Sequence, residues 1–328
     1  MIKSFSRKIM TIVMSLIIAL MLPISSDAAV SISQKSVVGD LYSSNAYNYY
    51  TSFFKNVGWS FVIPGLTTKM CPQGMCKAGN YILISAYDAF GNDDSCIYIL
   101  DSNGNYKKTV WLKGNKTHVG GITFDGTYVY TANSSEYTVS MIKLSRLTGA
   151  SNGSSIYADM TIPVRNTSGG TYKASYCYYD RTRSVLWVGH FKSSGPSYAF
   201  GYQINGTRTS PTIKYVMKVP AKTQGMFFYG NYVVYSTSEG RNNDSKIYFC
   251  KYYTYATKNG VPYYQYESSS RTITAPATSQ NIFIDGINLY ILFENAADCY
   301  YKGYKKTDKA YLGPSVRPVD RVCVYRLS

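Results

Sequence analysis

Short apolar segments separated by turn residues recur along most of this chain. Each repeat starts with an opening segment that often carries Gln-Gly or Gly-Gly, followed by a turn, an apolar strand, a loop and a second apolar strand. Asp125-Gly126 and Gly230-Asn231 lie in such turns, because these residue types accept the positive φ angles of tight hairpins. The openings are Pro72–Met75, His118–Ile122, Tyr172–Ser175, Thr223–Met226 and Ser279–Ile282.

The spacing of the openings predicts the fold. Successive openings lie 47, 55, 49 and 56 residues apart, which suits four-stranded propeller blades. We therefore predict an all-β fold, a five-bladed β-propeller of four-stranded blades that spans residues 59–328 as a single domain. The predicted second strands of the repeats are Tyr81–Ser85, Tyr128–Ala132, Val185–Gly189, Tyr232–Ser236 and Leu289–Phe293.

The two ends of the repeat array complement each other. The fifth repeat supplies three strands, the last of them Arg321–Leu327, and the sequence ends at Ser328 before a fourth. The segment Trp59–Ile63 precedes the first opening and has the composition of a fourth strand. Because an unpaired edge strand is a liability, we predict that this N-terminal strand pairs with the C-terminal blade and closes the ring.

The residues before the repeats divide into two segments. Lys3, Arg7 and Lys8 precede the apolar run Ile9–Leu22, and small residues follow at Ser26–Ala29, which is typical of a signal peptide over 1–29. An uncleaved anchor is the alternative, although a membrane span needs about 20 residues. We expect a secreted, extracellular protein, associated with the cell wall and without a transmembrane segment after cleavage. Residues 30–58 are predicted to pack outside the ring, with a short helix near 46–55.

Charge and cysteine content narrow the choice of partners. The 328 residues contain 34 Lys and Arg against 18 Asp and Glu, and loss of the signal peptide leaves 31 against 17, a net charge of +14. Secretion makes nucleic acid a poor partner, so we consider anionic cell-envelope polymers, with plain solubility as the alternative. The 35 tyrosines suit half-buried strands and also stacking on sugars. The seven cysteines lack zinc-ligand spacing, and we interpret most of them as buried apolar residues.

Four short motifs resemble those of a known group of proteins. They are Ile63–Leu66, Pro72–Met75, His118–Gly121 and Glu239–Ser245. Together they resemble uncharacterised secreted bacterial propeller proteins, which are distantly similar to gluconolactonase-like and NHL-type propellers. The resemblance spans about residues 59–328 and implies the fold and secretion. The named enzymes usually have six blades, so the resemblance implies no reaction for this chain.

Propeller geometry predicts where a ligand would bind. The openings and the ends of the second strands meet around the top of the central channel, which is the default place for a ligand. The alignment of repeats places Lys173 in the ring of openings, and Ala86 and Thr237 in the ring of strand ends. The ligand-binding residues that we predict in these rings and the adjoining loops are Gln73, His118, Asn133, His190, Gln224, Glu239, Arg241, Gln280 and Glu294.

These side chains suit several kinds of chemistry. Amides bind hydroxyl and carbonyl groups, and His118 or His190 could act as a general base near neutral pH. Glu294 is the candidate metal ligand, for calcium, together with amide oxygens and a further carboxylate. Arg241 could clamp a carboxylate or phosphate, and the alternative is that Glu239–Ser245 is a structured turn. For every channel residue, hydrogen bonds to neighbours and water are the other interpretation.

The pattern favours binding over catalysis. The inner openings lack the facing carboxylates that glycoside cleavage needs, and no G-x-S-x-G, Walker or G-x-G-x-x-G motif accompanies them. We expect a monomeric binding protein for a glycan or an anionic cell-envelope polymer. The alternative is a calcium-dependent hydrolase, lactonase-like or esterase-like, with His118, His190 and Glu294 as its catalytic candidates. A scaffold for another secreted protein is the third hypothesis.

Overall fold

Antiparallel strands dominate the computed structural model, which describes residues 31–204, 211–304 and 313–327. The strands in chain order are β1 Val57–Val62, β2 Met70–Ala78, β3 Tyr81–Asp88, β4 Cys96–Asp101, β5 Tyr106–Leu112, β6 Val119–Phe124, β7 Tyr128–Asn133, β8 Thr138–Lys143, β9 Ser155–Ile156, β10 Met160–Pro163, β11 Tyr176–Asp180, β12 Val185–Gly189, β13 Ser197–Gln203, β14 Thr212–Val219, β15 Thr223–Tyr229, β16 Tyr232–Thr237, β17 Ser245–Lys258, β18 Val261–Ala275, β19 Ser279–Asp285, β20 Asn288–Phe293 and β21 Arg321–Arg326. The predicted second strands are confirmed as β3, β7, β12, β16 and β20, to within a few residues at their ends. The predicted signal peptide lies outside the described residues.

These strands form antiparallel sheets around a common centre. One sheet has the order β1-β21-β20-β19, another β10-β8-β7-β6, and a third runs from β2 to β5 with β9 added in parallel. An eight-stranded sheet consists of β11–β14 and β15–β18, joined by a short parallel pairing of β14 with β18. The first strand of each unit contacts the first strand of the next, in the closed circle β2-β6-β11-β15-β19-β2. This architecture is a β-propeller.

The two ends of the chain meet in one sheet. Strand β1 pairs antiparallel with β21, and Phe61 lies opposite Val322. The predicted pairing of the N-terminal strand with the C-terminal strands is therefore confirmed. Phe61, Val322 and Val324 are buried in one apolar cluster, so the closure also buries side chains between this sheet and its neighbour. Closure removes a sheet edge that would otherwise expose unpaired backbone groups.

The glycines of the openings allow the inner strands to approach one another closely. A Cβ atom on Gly74 would lie 2.7 Å from the backbone nitrogen of Ile122 in the adjacent inner strand. A Cβ on Gly225 of β15 would lie 3.1 Å from Cα of Asn281 in β19, at another contact between neighbouring inner strands. The Gln-Gly and Gly-Gly motifs that mark the repeats thus have a packing cause, since only glycine fits where two backbones come this close.

The segment before β1 packs against the sheets. Its helices are α1 Asn45–Tyr49 and α2 Thr51–Phe54, in the region predicted to be helical, and a 3₁₀ turn covers Leu41–Ser43. Phe53 and Phe54 are buried in a cluster with residues of β16–β21. The Asp320 carboxylate accepts hydrogen bonds from the Ser36 hydroxyl and from two backbone N–H groups of this segment. Apolar burial and these hydrogen bonds together attach the segment to the propeller.

The hairpin of β17 and β18 is longer than the sequence analysis indicates. The repeat pattern predicts two short strands in this region, 246–252 and 271–275, whereas β17 and β18 have 14 and 15 residues. Asn259 and Gly260 form the turn with φ angles of 51° and 76°, the conformation of a two-residue hairpin. The added length is rich in tyrosine, whose rings favour a pleated surface.

All seven cysteines are buried thiols that form no disulfide, so their interpretation as buried apolar residues is confirmed. Burial raises the pKa of the Cys96 thiol to about 12 and of the Cys250 thiol to about 11. Many tyrosines are core residues as well, including the fully buried Tyr98, Tyr130 and Tyr235. The remaining described helices are α3 Leu144–Gly149 and α4 Asp298–Tyr301. None of the helices in the described part of the chain has the length and apolar character needed to cross a bilayer.

Candidate functional site

A cavity of about 920 Å³ opens where the inner strands begin. This volume lies in the range of small-molecule sites, about 300–1,000 Å³. Openings of the repeats line it together with residues that follow the second strands, which is the arrangement that propeller geometry predicts. We call it the polar cavity; its lining residues are Gln73, His118, Gly120, Ser134, Lys173, Ser175, His190, Phe191, Gln224, Ser238, Glu239, Gly240, Arg241, Asn242, Asn243, Thr278, Gln280, Glu294 and Tyr300.

Most of the predicted ligand-binding residues come together in this cavity, but Asn133 lies outside its lining. The Asn133 side chain is 1% exposed and donates hydrogen bonds to Thr138 Oγ1 and Ser140 Oγ, at 3.1 and 2.8 Å. Its Oδ1 accepts from Asn115 Nδ2 at 2.9 Å. These bonds saturate the amide and hold the loop between β7 and β8, so its role is structural.

A one-residue offset explains this difference. Strands β7 and β16 end at Asn133 and Thr237, and the residues after them, Ser134 and Ser238, line the polar cavity. In β12 and β20 it is likewise the residue after the strand that lines it, His190 and Glu294. The alignment of repeats counted residues from the turn, and two of the strands are one residue longer than predicted. Because side chains alternate between faces, a shift of one residue moves the wrong side chain into the ring.

Glu294 is the most constrained acid of the polar cavity. It is 4% exposed, and its carboxylate accepts hydrogen bonds from Tyr300 Oη at 2.5 Å and from Cys71 Sγ at 3.1 Å. The Gln73 amide donates to it as well. Three donors from the protein therefore compensate the buried negative charge, as a buried carboxylate requires.

The same donors bear on the predicted calcium ligand. Cations bind to oxygen lone pairs, and the lone pairs of Glu294 already accept hydrogen bonds from three neighbouring groups. Within the described ranges, no three His, Cys, Asp or Glu side chains come close enough together to hold a metal ion. To bind a metal, Glu294 would thus have to lose hydrogen bonds from its protein donors, and few other charged side chains nearby could coordinate the ion. Its observed neighbours suit a structural carboxylate.

Two glutamines present amide groups to the cavity. Gln280 is 2% exposed and lines it. Gln224 donates one long hydrogen bond, 3.3 Å, to the carbonyl of Ser238. Amides at a cavity need hydrogen-bond partners, since an unpartnered buried amide costs about 1–3 kcal/mol, and a ligand or water in the cavity can supply them. The two residues are therefore available to bind a polar molecule.

Both histidines line the polar cavity, in different surroundings. The ring of His118 stacks on Tyr87, with centroids 3.8 Å apart. The ring of His190 meets Tyr172 edge to face at 5.4 Å. Burial, with the nearby charges of Lys173 and Lys192, lowers the pKa of His190 below its usual range. His190 is therefore neutral at pH 7, and it can donate and accept a hydrogen bond.

The loop Glu239–Ser245 forms one wall, and its contacts support the structured-turn interpretation. The Arg241 guanidinium donates to the carbonyls of Cys299 and Gly313, at 3.3 and 3.1 Å, and to the carbonyl of Tyr304. It also lies 4.9 Å from the centroid of the Tyr300 ring. Arg241 thus ties this loop to the segment after β20, and most of its donors are engaged with the protein.

Other side chains of the loop have protein partners too. Asn242 Oδ1 accepts from the backbone of Val316 at 2.9 Å, and Asn243 donates to the Glu239 carbonyl at 2.9 Å. The Glu239 carboxylate lies 3.0 Å from Lys222 Nζ, an exposed ion pair. Asp244 accepts from the Tyr50 hydroxyl at 2.8 Å, which links the loop to the N-terminal segment. Protein contacts thus determine the shape of this wall.

The lining residues absent from the sequence-based set include Ser238, Phe191 and Tyr300. Ser238 follows a second strand directly, so a correct strand end would have identified it. Phe191 follows His190 and could have been included on the same ground. Tyr300 comes from α4, Asp298–Tyr301, a helix that the repeat pattern does not contain. Only the folded chain places it beside Glu294.

No protein-family model matches this chain, and no curated protein is detectably similar to it in sequence. Solved structures with similar arrangements include glutaminyl cyclase from Myxococcus xanthus, 9% identical, with 82% of this chain and 94% of that chain covered and a TM-score of 0.48. BamB from Moraxella catarrhalis is 13% identical, with 78% and 58% covered and a TM-score of 0.32. Hydrazine synthase from Kuenenia stuttgartiensis is 12% identical, with 67% and 55% covered and a TM-score of 0.37.

This chain therefore spans little more than half of the hydrazine synthase and BamB chains. At such TM-scores, none of these similarities carries an argument about fold or function. The assignment as a propeller is based on the sheets of this chain and on the closed circle of contacts between their first strands.

Proposed function

We propose that this protein is a secreted, five-bladed propeller that binds an uncharged, hydroxyl-rich glycan in the polar cavity. The observation that carries the proposal is Gln280: a buried residue, 2% exposed, whose side chain lines a cavity of ligand size. An amide of this kind offers one acceptor and two donor hydrogens, the complement of sugar hydroxyl groups. Gln224 adds a second amide in the same ring.

The proposed blade count is supported by the inner strands. The circle β2-β6-β11-β15-β19 contains one first strand from each repeat. In this interpretation the eight-stranded sheet is two blades, β11–β14 and β15–β18, joined by the short parallel pairing of β14 with β18. Strand β1 is the outer strand of the last blade. Secretion rests on the pattern of residues 1–29.

The charges around the polar cavity favour a neutral ligand over an anionic polymer. Lys173 and Arg241 are the basic residues of the lining, and Glu239 and Glu294 are the acidic ones. His190, with its lowered pKa, adds no charge at pH 7. The net charge of +16 for the whole chain is therefore not concentrated here. An anionic polymer would gain little from this cavity beyond what the general surface offers.

Aromatic rings at the cavity suit the same ligand. Tyr300, Phe191 and His118 are all lining residues. Flat aromatic faces pack against the apolar faces of sugar rings, while the Tyr hydroxyl and the amides reach polar groups. Amides for the hydroxyl groups and rings for the C–H faces are the two components that a glycan site needs.

The hydrolase alternative is less well supported by these contacts. The hydrolase needs Glu294 as a metal ligand, whereas Glu294 is occupied by Gln73, Tyr300 and Cys71. His190 is neutral and could serve as a base, but a base alone defines no reaction. We therefore retain the binding protein as the proposal.

The proposal is tested by isothermal titration calorimetry on mature protein, residues 30–328. Neutral oligosaccharides such as chitotetraose and cellotetraose are compared with oligogalacturonate, an anionic one. We expect saturable, salt-independent binding of a neutral oligosaccharide and weak, salt-sensitive binding of the anionic one. Gln280→Ala should weaken binding by about 0.5–1.5 kcal/mol, roughly two- to twelvefold in Kd.

Gln203→Ala is the matched control, because Gln203 is an exposed glutamine of β13 outside the polar cavity. It removes the same atoms and should leave Kd unchanged. Binding that is restricted to the anionic oligosaccharide, or that is the same in Gln280→Ala as in the wild type, would refute the proposal.

A further inference from the structure

A second cavity lies at the other end of the same inner strands. Its volume is about 470 Å³, and residues from β2, β6, β11, β15 and β19 all contribute to its lining. No residue lines both cavities. On β2, for example, Gln73 lines the polar cavity and Lys77 the second one, four residues or about 13 Å further along the strand. The two cavities are therefore separate sites on the axis of the propeller.

The lining of the second cavity is aromatic, and we call it the aromatic cavity. Tyr178 is central, with ring centroids 4.7 Å from Phe227 and 6.2 Å from Phe228. These three rings are only half-buried, although they come from inner strands. The aromatic side chains that line the cavity are Phe124, Tyr178, Tyr179, Phe227, Phe228 and Phe283. The first cavity presents amides, whereas this one presents flat apolar faces.

A buried polar residue belongs to the same cavity. Asn281 lines it and is 3% exposed. Buried amides are normally hydrogen-bonded, because leaving one unpaired is costly. A ligand that enters the aromatic cavity can form a hydrogen bond with this amide.

Of the two basic residues at the rim of the aromatic cavity, one forms an ion pair with a described residue and the other does not. Lys77 Nζ and Asp285 Oδ2 lie 2.5 Å apart, and the pair spans the rim between β2 and β19. Arg181 lies above the Phe124 ring, 5.8 Å from its centroid, and no carboxylate pairs with it in the described part of the chain. The nearest acid in sequence, Asp180, is paired with Arg183 at 2.7 Å. The rim thus carries one unmatched positive charge.

We propose that the aromatic cavity is a second binding site, for a small planar aromatic molecule that carries an anionic group. The rings of Tyr178, Phe227 and Phe228 stack on the ligand, and Arg181 pairs with its anion. The Asn281 amide bonds a polar atom of the ligand near the channel axis. This site does not depend on the glycan proposal, because the two cavities have no residue in common.

The test uses a pair of fluorescent probes on the mature protein. 1-Anilinonaphthalene-8-sulfonate is an aromatic anion with a planar naphthalene ring, and N-phenyl-1-naphthylamine is its uncharged counterpart. We expect the anion to bind with one-to-one stoichiometry and more tightly than the neutral probe. Arg181→Gln should weaken binding of the anion roughly two- to tenfold and leave the neutral probe unchanged, since it removes only the charge pairing. Arg181 is exposed, so this variant keeps the fold.

Two controls locate the binding. Lys113→Gln removes an exposed cation that does not line the aromatic cavity, and Gln280→Ala alters the polar cavity alone. Both should bind the anionic probe like the wild type, and Phe227→Ala should weaken both probes on the order of tenfold. An equal urea midpoint for Arg181→Gln and wild type excludes loosening of the fold. Unchanged anion binding in Arg181→Gln, equal affinity for the two probes, or loss of binding in Gln280→Ala would overturn the proposal.

Discussion

The close approach of the inner strands at Gly74 can be tested by adding a single methyl group. In Gly74→Ala the new Cβ would lie 2.7 Å from the Ile122 backbone nitrogen and 2.9 Å from the Gly121 carbonyl carbon. Both neighbours are backbone atoms of β6, so no side-chain rotation relieves the overlap. Ordinary van der Waals contact begins at 3.4 Å. The two inner strands would have to separate by about 0.7 Å.

The expected magnitude follows from overpacking in well-packed cores, which costs about 1–3 kcal/mol. Gly→Ala also stabilises, by about 0.4–1 kcal/mol, because it reduces the entropy of the unfolded chain. Gly149→Ala isolates this second effect, since its Cβ would meet nothing within 4 Å and its φ is not positive. The difference in unfolding free energy between the Gly74 and Gly149 variants should therefore be about 1–3 kcal/mol.

Gly225→Ala provides an intermediate point. Its Cβ would lie 3.1 Å from Asn281 Cα, so the neighbouring strand must move by only a few tenths of an ångström. Urea unfolding followed by circular dichroism measures all three variants, with the free energy obtained from the midpoint and the slope. We expect the order of stability Gly149→Ala, then Gly225→Ala, then Gly74→Ala. If Gly74→Ala were as stable as Gly149→Ala, the packing explanation of the Gln-Gly and Gly-Gly motifs would be wrong.

Three further predictions concern titratable groups. Glu294→Gln should lower the unfolding free energy by about 1–3 kcal/mol, because it leaves the donors of Gln73, Tyr300 and Cys71 without a charged acceptor. Calcium added to the wild type after EDTA treatment should leave its thermal midpoint unchanged, and a rise of several degrees would instead support the hydrolase. The folded state lowers the pKa of His190, so the unfolded state binds a proton at this ring more readily. The unfolding free energy should therefore fall as pH drops below about 6.5, and it should fall less steeply in His190→Gln. The same dependence of unfolding free energy on pH in the variant and the wild type would contradict this. The seven buried thiols should react with Ellman's reagent only after denaturation, and fast reaction of several thiols in the folded protein would contradict their burial.

Local patterns predicted much of the fold. Spacing of the openings and the hairpin turns located β3, β7, β12, β16 and β20, because alternation and turn chemistry act over a few residues. The same reasoning missed the length of β17 and β18, although Asn259-Gly260 is a strong hairpin signal. The closing strand β1 was predicted because an unpaired edge at the end of a repeat array is costly.

The sequence by itself determined the repeat, the strand order within it, the burial of the cysteines and the end of the channel at which its polar openings gather. Tertiary structure decided what each side chain contacts there. Glu294 meets Gln73 across 221 residues, and Arg241 binds the Gly313 carbonyl across 72. Ser134 and Ser238, rather than Asn133 and Thr237, line the polar cavity.

The physical reason is the same in these cases. Hydrogen-bond partners come from remote parts of the chain, and a shift of one residue in a strand end turns a side chain to the opposite face. The aromatic cavity illustrates this further, because its rings belong to separate repeats and form one surface only when the inner strands close into a circle.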